Sequence, residues 1–263
     1  MSRSFRCFEN LNWPSAAEAT AREGSTLIWP LGACEQHGPH LPLSTDTLFA
    51  EVILKVVLEK LPASLPIWKL PTQSIGFSPE HRSFPGTLSL SGNLMFQLVI
   101  EIGNQLADIG VRRLVLFNAH GGQIGLLQSA ARELREQRPE IAVLPCFLWH
   151  GVSALKDLIP DQEIEQGLHA GQAETSLMLS LAPELVGTER PNDGEGLSKD
   201  KNIRPPKGWS LEGPAPCAWL TEDLSKSGVI GDSRDSNLSL GKLIENALID
   251  HWVELLTGLL ASN

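Results

Sequence analysis

Short apolar runs that alternate with amphipathic stretches set the strongest limit on what this chain can fold into. "TLIWPLG" (26–32) has the make-up of a buried strand. In "DTLFAEVILKVVLEKL" (46–61), Leu48, Phe49, Val52, Ile53, Val56 and Val57 recur at helical spacing and form one apolar face. "IWKLPTQSIG" (67–76) predicts a strand running into a loop, and "GTLSL" (86–90) a further short strand. A helix is expected over 92–109, with Ser91 as N-cap and Gly110 as its stop. "RRLVLFN" (112–118) is the next strand, followed by a glycine-bearing turn and a helix over 125–137. "IAVLPCFLW" (141–149) predicts a strand disturbed at Pro145, "AETSLMLSLA" (173–182) a helix, and 239–260 a last helix. Crossovers of this length imply an α/β fold around a mainly parallel sheet covered on both faces. No break separates two units, so residues 1–263 are expected to form a single domain. Within it, 187–236 is a long loop or arm region rich in Gly, Pro, Ser and Asp.

The formal charge of −10 argues against nucleic-acid and anionic-membrane partners, which need a basic face. No segment stays apolar for about 18 residues, and the first residues carry no apolar run, so neither a membrane span nor a signal peptide is expected. The four cysteines are scattered and form no C-x-x-C, which points to reduced thiols in a cytoplasmic protein.

Ligands of open parallel sheets bind beyond the carboxyl ends of the strands. Most of the seven histidines fall at those expected ends. The first strand leads into "GACEQHGPHLPLSTD" (32–46), which carries Glu35, His37 and Asp46. Glu35 and His37 are two apart, so an extended chain turns both to one side. The turn imposed by Gly38, Pro39 and Pro42 can return Asp46 to the same point, where its two oxygens could bridge two ions. Asp46 also reads as the N-cap of its helix. His120 follows 112–118 in "FNAHGGQ". Two carboxylates and two imidazoles at coincident strand ends suit zinc first, or manganese or iron(II), and not calcium or a thiolate site. His169 lies in the loop before a helix starting near Gly171, with Glu174 in its first turn, where an acid is also favoured by the helix dipole. Glu80 and His81 read either as an edge of the pocket or as a solvated loop pair. His40 is expected to order the Pro-rich turn, Cys34 to face away, and His150 to follow a strand.

"WPLGACEQHGPHLPLSTD", "EHRSFPGTLSL", "NAHGGQ", "HAGQAETSLML" and "SGVIGD" occur in this order along nearly the whole chain. Together they resemble the creatininase (creatinine amidohydrolase) family. The resemblance implies a three-layer αβα sandwich, metal-dependent hydrolysis of a C–N bond in a small amide or cyclic amide, and a homo-oligomer, often a hexamer. It implies one or two divalent transition-metal ions held by Glu35, His37, Asp46 and His120, with Asp46 as the bridge. His169 is then the general acid/base, and Glu174 its acidic partner or a further ligand. Two positions depart from creatininase proper. The carboxylate that binds its second metal, two residues after the matching histidine, is Gly122 here, so either Glu174 supplies it or the second ion is weak or absent. The tryptophan four residues before its catalytic histidine is Glu165 here. Both departures are similar to the wider family, which includes formamide hydrolases of flavin and deazaflavin synthesis and a peptidase of mycofactocin maturation. The rival expectations are therefore one of these hydrolases on the same scaffold, or a non-catalytic metal- or ligand-binding protein.

Overall fold

A computed structural model describes residues 6–194, 207–213 and 215–261, apart from the side chains of 162, 165 and 166. Part of the expected 187–236 loop and the side chain of Glu165 therefore lie outside the described residues. Four strands, β1 (Thr26–Leu31), β2 (Ile67–Lys69), β3 (Arg113–Asn118) and β4 (Ala142–Phe147), pair in parallel in the order β2-β1-β3-β4. Helices fill the connections, as parallel pairing requires. Helix α1 (Trp13–Ala21) precedes β1, and α2 (Thr45–Leu48) and α3 (Leu54–Lys60) join β1 to β2 through a π-helical turn at Phe49–Ile53. Helix α4 (Gly92–Asp108) joins β2 to β3, and α5 (Ile124–Gln137) joins β3 to β4. Beyond β4 lie α6 (Leu155–Leu158), α7 (Asp161–Gln166), α8 (Gln172–Leu181), α9 (Thr221–Leu224) and α10 (Leu238–Ala261). A two-stranded antiparallel pair, β5 (Asn192–Asp193) with β6 (Gly231–Asp232), completes the order.

The pleat divides the strand residues between two cores. Ile28, Val115 and Phe117 pack with Val57 of α3, Leu177 of α8 and Leu248 and Trp252 of α10. Leu27, Trp29, Leu31, Leu114 and Leu116 pack on the other face with Val99 of α4 and Leu127 and Leu134 of α5. The result is the expected αβα sandwich. Trp252 is 1% exposed, sits edge-on to Phe117 with centroids 4.6 Å apart, and donates its Nε1–H to Leu148 O at 3.0 Å. Trp252→Ala should therefore cost about 3–5 kcal/mol in denaturant unfolding of the metal-free protein. A loss below about 1 kcal/mol would contradict this packing.

The expected N-cap at Ser91 is present, its side chain accepting from Leu94 N. Three local expectations are corrected. "GTLSL" is not a strand of the sheet. It touches Cys34 through one antiparallel bridge at Leu88 and runs across the loop after β1, where Leu88 N donates to Cys34 O at 2.8 Å and Gln36 N to Thr87 Oγ1 at 3.0 Å. Pro145 does not disturb β4: it pairs with Leu116 in unbroken register, because β4 is an edge strand and an edge tolerates a missing N–H. Asp46 does not cap its helix. Ser44 holds the N-cap position without a side-chain bond, and Asp46 sits in the first turn of α2 with its carboxylate turned elsewhere.

Candidate metal centre

The carboxyl ends of β1 and β3 open onto one buried cluster. Gly38, in the left-handed region at φ 67°, turns the chain after β1 and folds the loop back on itself. Glu35 N donates to Leu43 O at 3.0 Å across that turn, so Glu35, His37 and Asp46 converge as expected. All three are at most 2% exposed. The loop after β3 adds His120, which is 3% exposed. The segment before α8 adds His169, and the first turn of α8 adds Glu174. Between them Ala170 has φ 55°, an arrangement that costs a non-glycine residue roughly 1–2 kcal/mol. It leaves Ala170 N free to donate to Glu174 Oε2 at 2.7 Å, which fixes that carboxylate.

The hydrogen bonds assign the imidazole protons, because a carbonyl oxygen can only accept. His37 Nδ1 faces Glu35 O at 3.2 Å, His120 Nε2 faces Phe77 O at 2.9 Å, and His169 Nε2 faces Gln36 O at 2.6 Å. Each of these nitrogens therefore carries hydrogen, and each ring turns its other nitrogen into the cluster. Backbone anchoring of the outer nitrogen is how metal-ligating imidazoles are oriented. Asp46 presents one oxygen to each of two rings: Oδ1 is 3.4 Å from His37 Nε2 and Oδ2 is 3.3 Å from His120 Nδ1. Glu35 Oε1 is 3.2 Å from His120 Nδ1, 3.8 Å from His169 Nδ1 and 4.0 Å from His37 Nε2. Glu35 Oε2, His37 Nε2 and Asp46 Oδ2 are buried and complete no hydrogen bond among the described residues. Unsatisfied buried donors and acceptors of this kind are costly.

His81 has the opposite tautomer. The Gln36 amide is fixed by Gly38 N on its oxygen and by its own Nε2 donating to Gly228 O. That same Nε2 lies 2.9 Å from His81 Nδ1, and Thr221 Oγ1 lies 2.7 Å away. Nδ1 thus accepts, and the His81 proton sits on Nε2, 3.5 Å from Glu35 Oε1. His81 is 2% exposed and stacks on His169 with centroids 4.1 Å apart. Sequence reading left His81 between a pocket edge and a solvated pair; the structure buries it in the cluster. Only its place in "EHRSFPGTLSL" pointed to it, since its partners lie far along the chain. His40 bonds Thr175 Oγ1 at 2.8 Å, outside the cluster, and His150 is exposed on a turn. Cys34 Sγ faces Gly86 O instead.

Charges in the metal-free cluster follow from the same neighbours. Burial opposes charge on His37, but Asp46, Glu174 and Glu35 outweigh it and lift its pKa to about 9. Burial is likewise overcome at His120, raised well above 6.5 by Glu35 and Asp46. Asp46 is held well below the usual carboxylate range against the penalty of its burial, by His37 and His120. Burial, with His81 and His37 nearby, keeps His169 neutral, and burial lowers His81 to about 4. Burial raises Glu174 to about 7, against the pull of His37. A raised imidazole pKa contributes stability that is complete below its unfolded value and lost as pH rises through its folded value. The metal-free protein should therefore lose melting temperature from pH 6.5 to about 9. A metal ion binds the neutral rings, so the rise in melting temperature on adding zinc should grow over the same interval. Scanning fluorimetry with and without zinc checks both slopes; a metal-free melting temperature that climbs over this range contradicts the assignment.

Among the described residues, three sets of side chains offer ligand atoms within 4.8 Å of one another: Glu35, His37 and His169; Glu35, Glu80 and His120; and His37, Asp46 and Glu174. Such O/N donors suit zinc, manganese or iron(II). Glu174 accepts from Ala170 N rather than from His169, and it groups with His37 and Asp46. No helix among the described residues is long and apolar enough to cross a membrane.

The chain matches the Creatininase family (creatinine amidohydrolase) over residues 9–256. It is 34% identical to a mycofactocin precursor peptide peptidase of Mycobacterium tuberculosis over 242 residues, covering 87% of this chain and 83% of that protein. It is 32% identical to a creatinine amidohydrolase of Pseudomonas putida over 194 residues, covering 68% and 73%. Among solved structures, a manganese creatininase superposes with a TM-score of 0.75 at 25% identity over 96% of this chain and 98% of the other. A creatininase variant of Zn-Zn type does so at 0.74 and 26% identity over 96% and 97%. The chain therefore belongs to the creatininase family, and with it to the hydrolases that act on carbon–nitrogen bonds.

Proposed function

We propose that the protein is a metal-dependent amidohydrolase whose centre is built from Glu35, His37, Asp46, His120 and Glu174, with His169 moving the proton. One observation carries this reading: Asp46 turns one oxygen to each of two anchored imidazoles, and its Oδ2, His37 Nε2 and Glu35 Oε2 are buried with no hydrogen-bond partner among the described residues. That is the arrangement of a bridging carboxylate. His37, Asp46 and Glu174 would hold one divalent ion, and Glu35, Asp46 and His120 the other. Ions bound there would lower the pKa of water toward neutrality and polarise the amide oxygen.

The chain's own groups handle the rest. His169 is neutral with its Nε2–H tied to Gln36 O, so Nδ1 is the free acceptor. It takes a proton from the attacking water and returns it to the leaving nitrogen. His81, stacked on His169, offers its Nε2–H and can donate to the amide oxygen as charge develops there. Glu174, near pKa 7, lies beside His37 and helps keep the cluster's charge balanced as protons move.

The peptidase reading of the same chemistry has a specific support. A cleft of about 360 Å³ opens beside the cluster, lined by Pro79, Glu80, Arg82, Ser83, Leu220 and Glu222. It mixes both charges and offers more room than a small cyclic amide needs. The higher identity and coverage of the peptide peptidase point the same way. Incubating the zinc- or manganese-loaded protein with cyclic amides, formamides and short peptides, with products read by mass spectrometry, tests both readings. Metal-dependent C–N cleavage is expected. Full metal occupancy without cleavage across the panel would favour a binding protein instead.

A further inference from the structure

We propose that Glu80 is a further ligand of the ion placed at Glu35, Asp46 and His120, here the second ion, and occupies the space that a side chain at position 122 would otherwise fill. This rests on the metal-centre reading above and adds to it the carboxylate missing beside His120.

Four observations carry it. Glu80 sits on a short turn at Pro79–His81, and its side chain is 13% exposed. Its Oε1 lies 3.6 Å from the hydrogen-bearing Nε2 of His120, whose Nδ1 faces the centre, and one ligand atom from each of Glu35, Glu80 and His120 lies within 4.8 Å of the other two. Glu35, at 1% exposed, leaves Oε2 buried with no hydrogen-bond partner among the described residues, so the group holds an unsatisfied acceptor as well as three donors for a cation. Gly122 explains why this carboxylate can enter. A Cβ built on Gly122 would overlap Glu80 Oε1 and lie 2.7 Å from His120 Nε2. The missing side chain is therefore the opening through which Glu80 reaches the centre from a different loop.

Charge supports the same count. Glu35, Asp46, Glu80 and Glu174 are four carboxylates, and Glu35, Asp46 and Glu80 form ion pairs with imidazoles alone among the described residues. Two divalent ions match four carboxylates with the imidazoles neutral. One ion leaves an excess of buried negative charge, which is expensive.

Titration of the metal-free protein with zinc, followed by calorimetry and native mass spectrometry, decides the matter without a substrate. The wild-type chain should take two ions. Glu80→Gln keeps the shape and the hydrogen bonding of a protonated carboxyl but not the charge. It should retain one ion and bind the second more weakly than the roughly 10–100-fold loss typical of outer-shell changes. Gly122→Ala, which leaves Glu80 intact but displaces it, should do the same. Glu80→Gly combined with Gly122→Glu should recover the second ion, since the new side chain projects into the vacated space. Circular dichroism of each metal-free variant separates ligand loss from misfolding. Two ions of unchanged affinity in Glu80→Gln overturn the proposal, as does a single ion common to wild type and Glu80→Gln. No ion in the wild type overturns the metal centre itself.

Discussion

Asp46→Ala is expected to lower metal affinity more than about 100-fold and kcat by about 10³-fold or more, the largest effect of any single change in the cluster. A loss of 10³ corresponds to about 4 kcal/mol of transition-state stabilisation. The size follows from geometry. Each Asp46 oxygen faces a different imidazole, so removing the side chain takes a ligand from both ion positions at once. The fold should survive, because Asp46 caps no helix and the usual penalty for losing a cap does not arise. A second readout is independent of activity. His37 owes its pKa of about 9 chiefly to Asp46 overcoming burial. Without Asp46 the largest contribution opposing burial at His37 is gone, so the stability decline of the metal-free protein between pH 6.5 and 9 should become shallower. Normal metal content in Asp46→Ala would remove Asp46 from the site.

His169→Asn should lower kcat by about 10²–10⁴-fold while leaving metal content unchanged. The two halves of that prediction separate two roles. His169 Nδ1 lies 3.8 Å from Glu35 Oε1, and His169 groups with Glu35 and His37 as a conceivable ligand set. A ligand loses metal when removed; a proton carrier does not. Burial, the stacked His81 ring and the tilted His37 ring argue for the carrier, since they hold His169 neutral with a free lone pair. Metal loss in His169→Asn, with activity restored by excess metal, would reassign it as a ligand.

The legible part of this fold was the part written in local periodicity. β1, β3, α4, α5 and α10 each carry a clear apolar pattern, and the parallel pairing follows from helices between the strands. "GTLSL" alternates like a strand, yet its hydrogen bonds go to the loop after β1 and not to the sheet, a choice made by tertiary contact. Glu35, His37, Asp46 and His120 were legible because they end two adjacent strands, and the sheet brings such residues together. Glu80 and His81 were not. The protonation of His81 is set by Gln36, 45 residues away, and by Thr221, 140 residues away. The access of Glu80 depends on a missing side chain at Gly122. Nothing in their own stretch carries either fact.

Crystals of the zinc-loaded protein, with anomalous diffraction recorded across the zinc edge, test the central claim most directly. The account predicts anomalous peaks on both sides of the Asp46 carboxylate, each within about 2.0–2.2 Å of one of its oxygens, with His37 and His120 as nitrogen ligands on opposite sides. Fully loaded crystals with no peak beside Asp46, or with zinc bound only at surface residues, would contradict it.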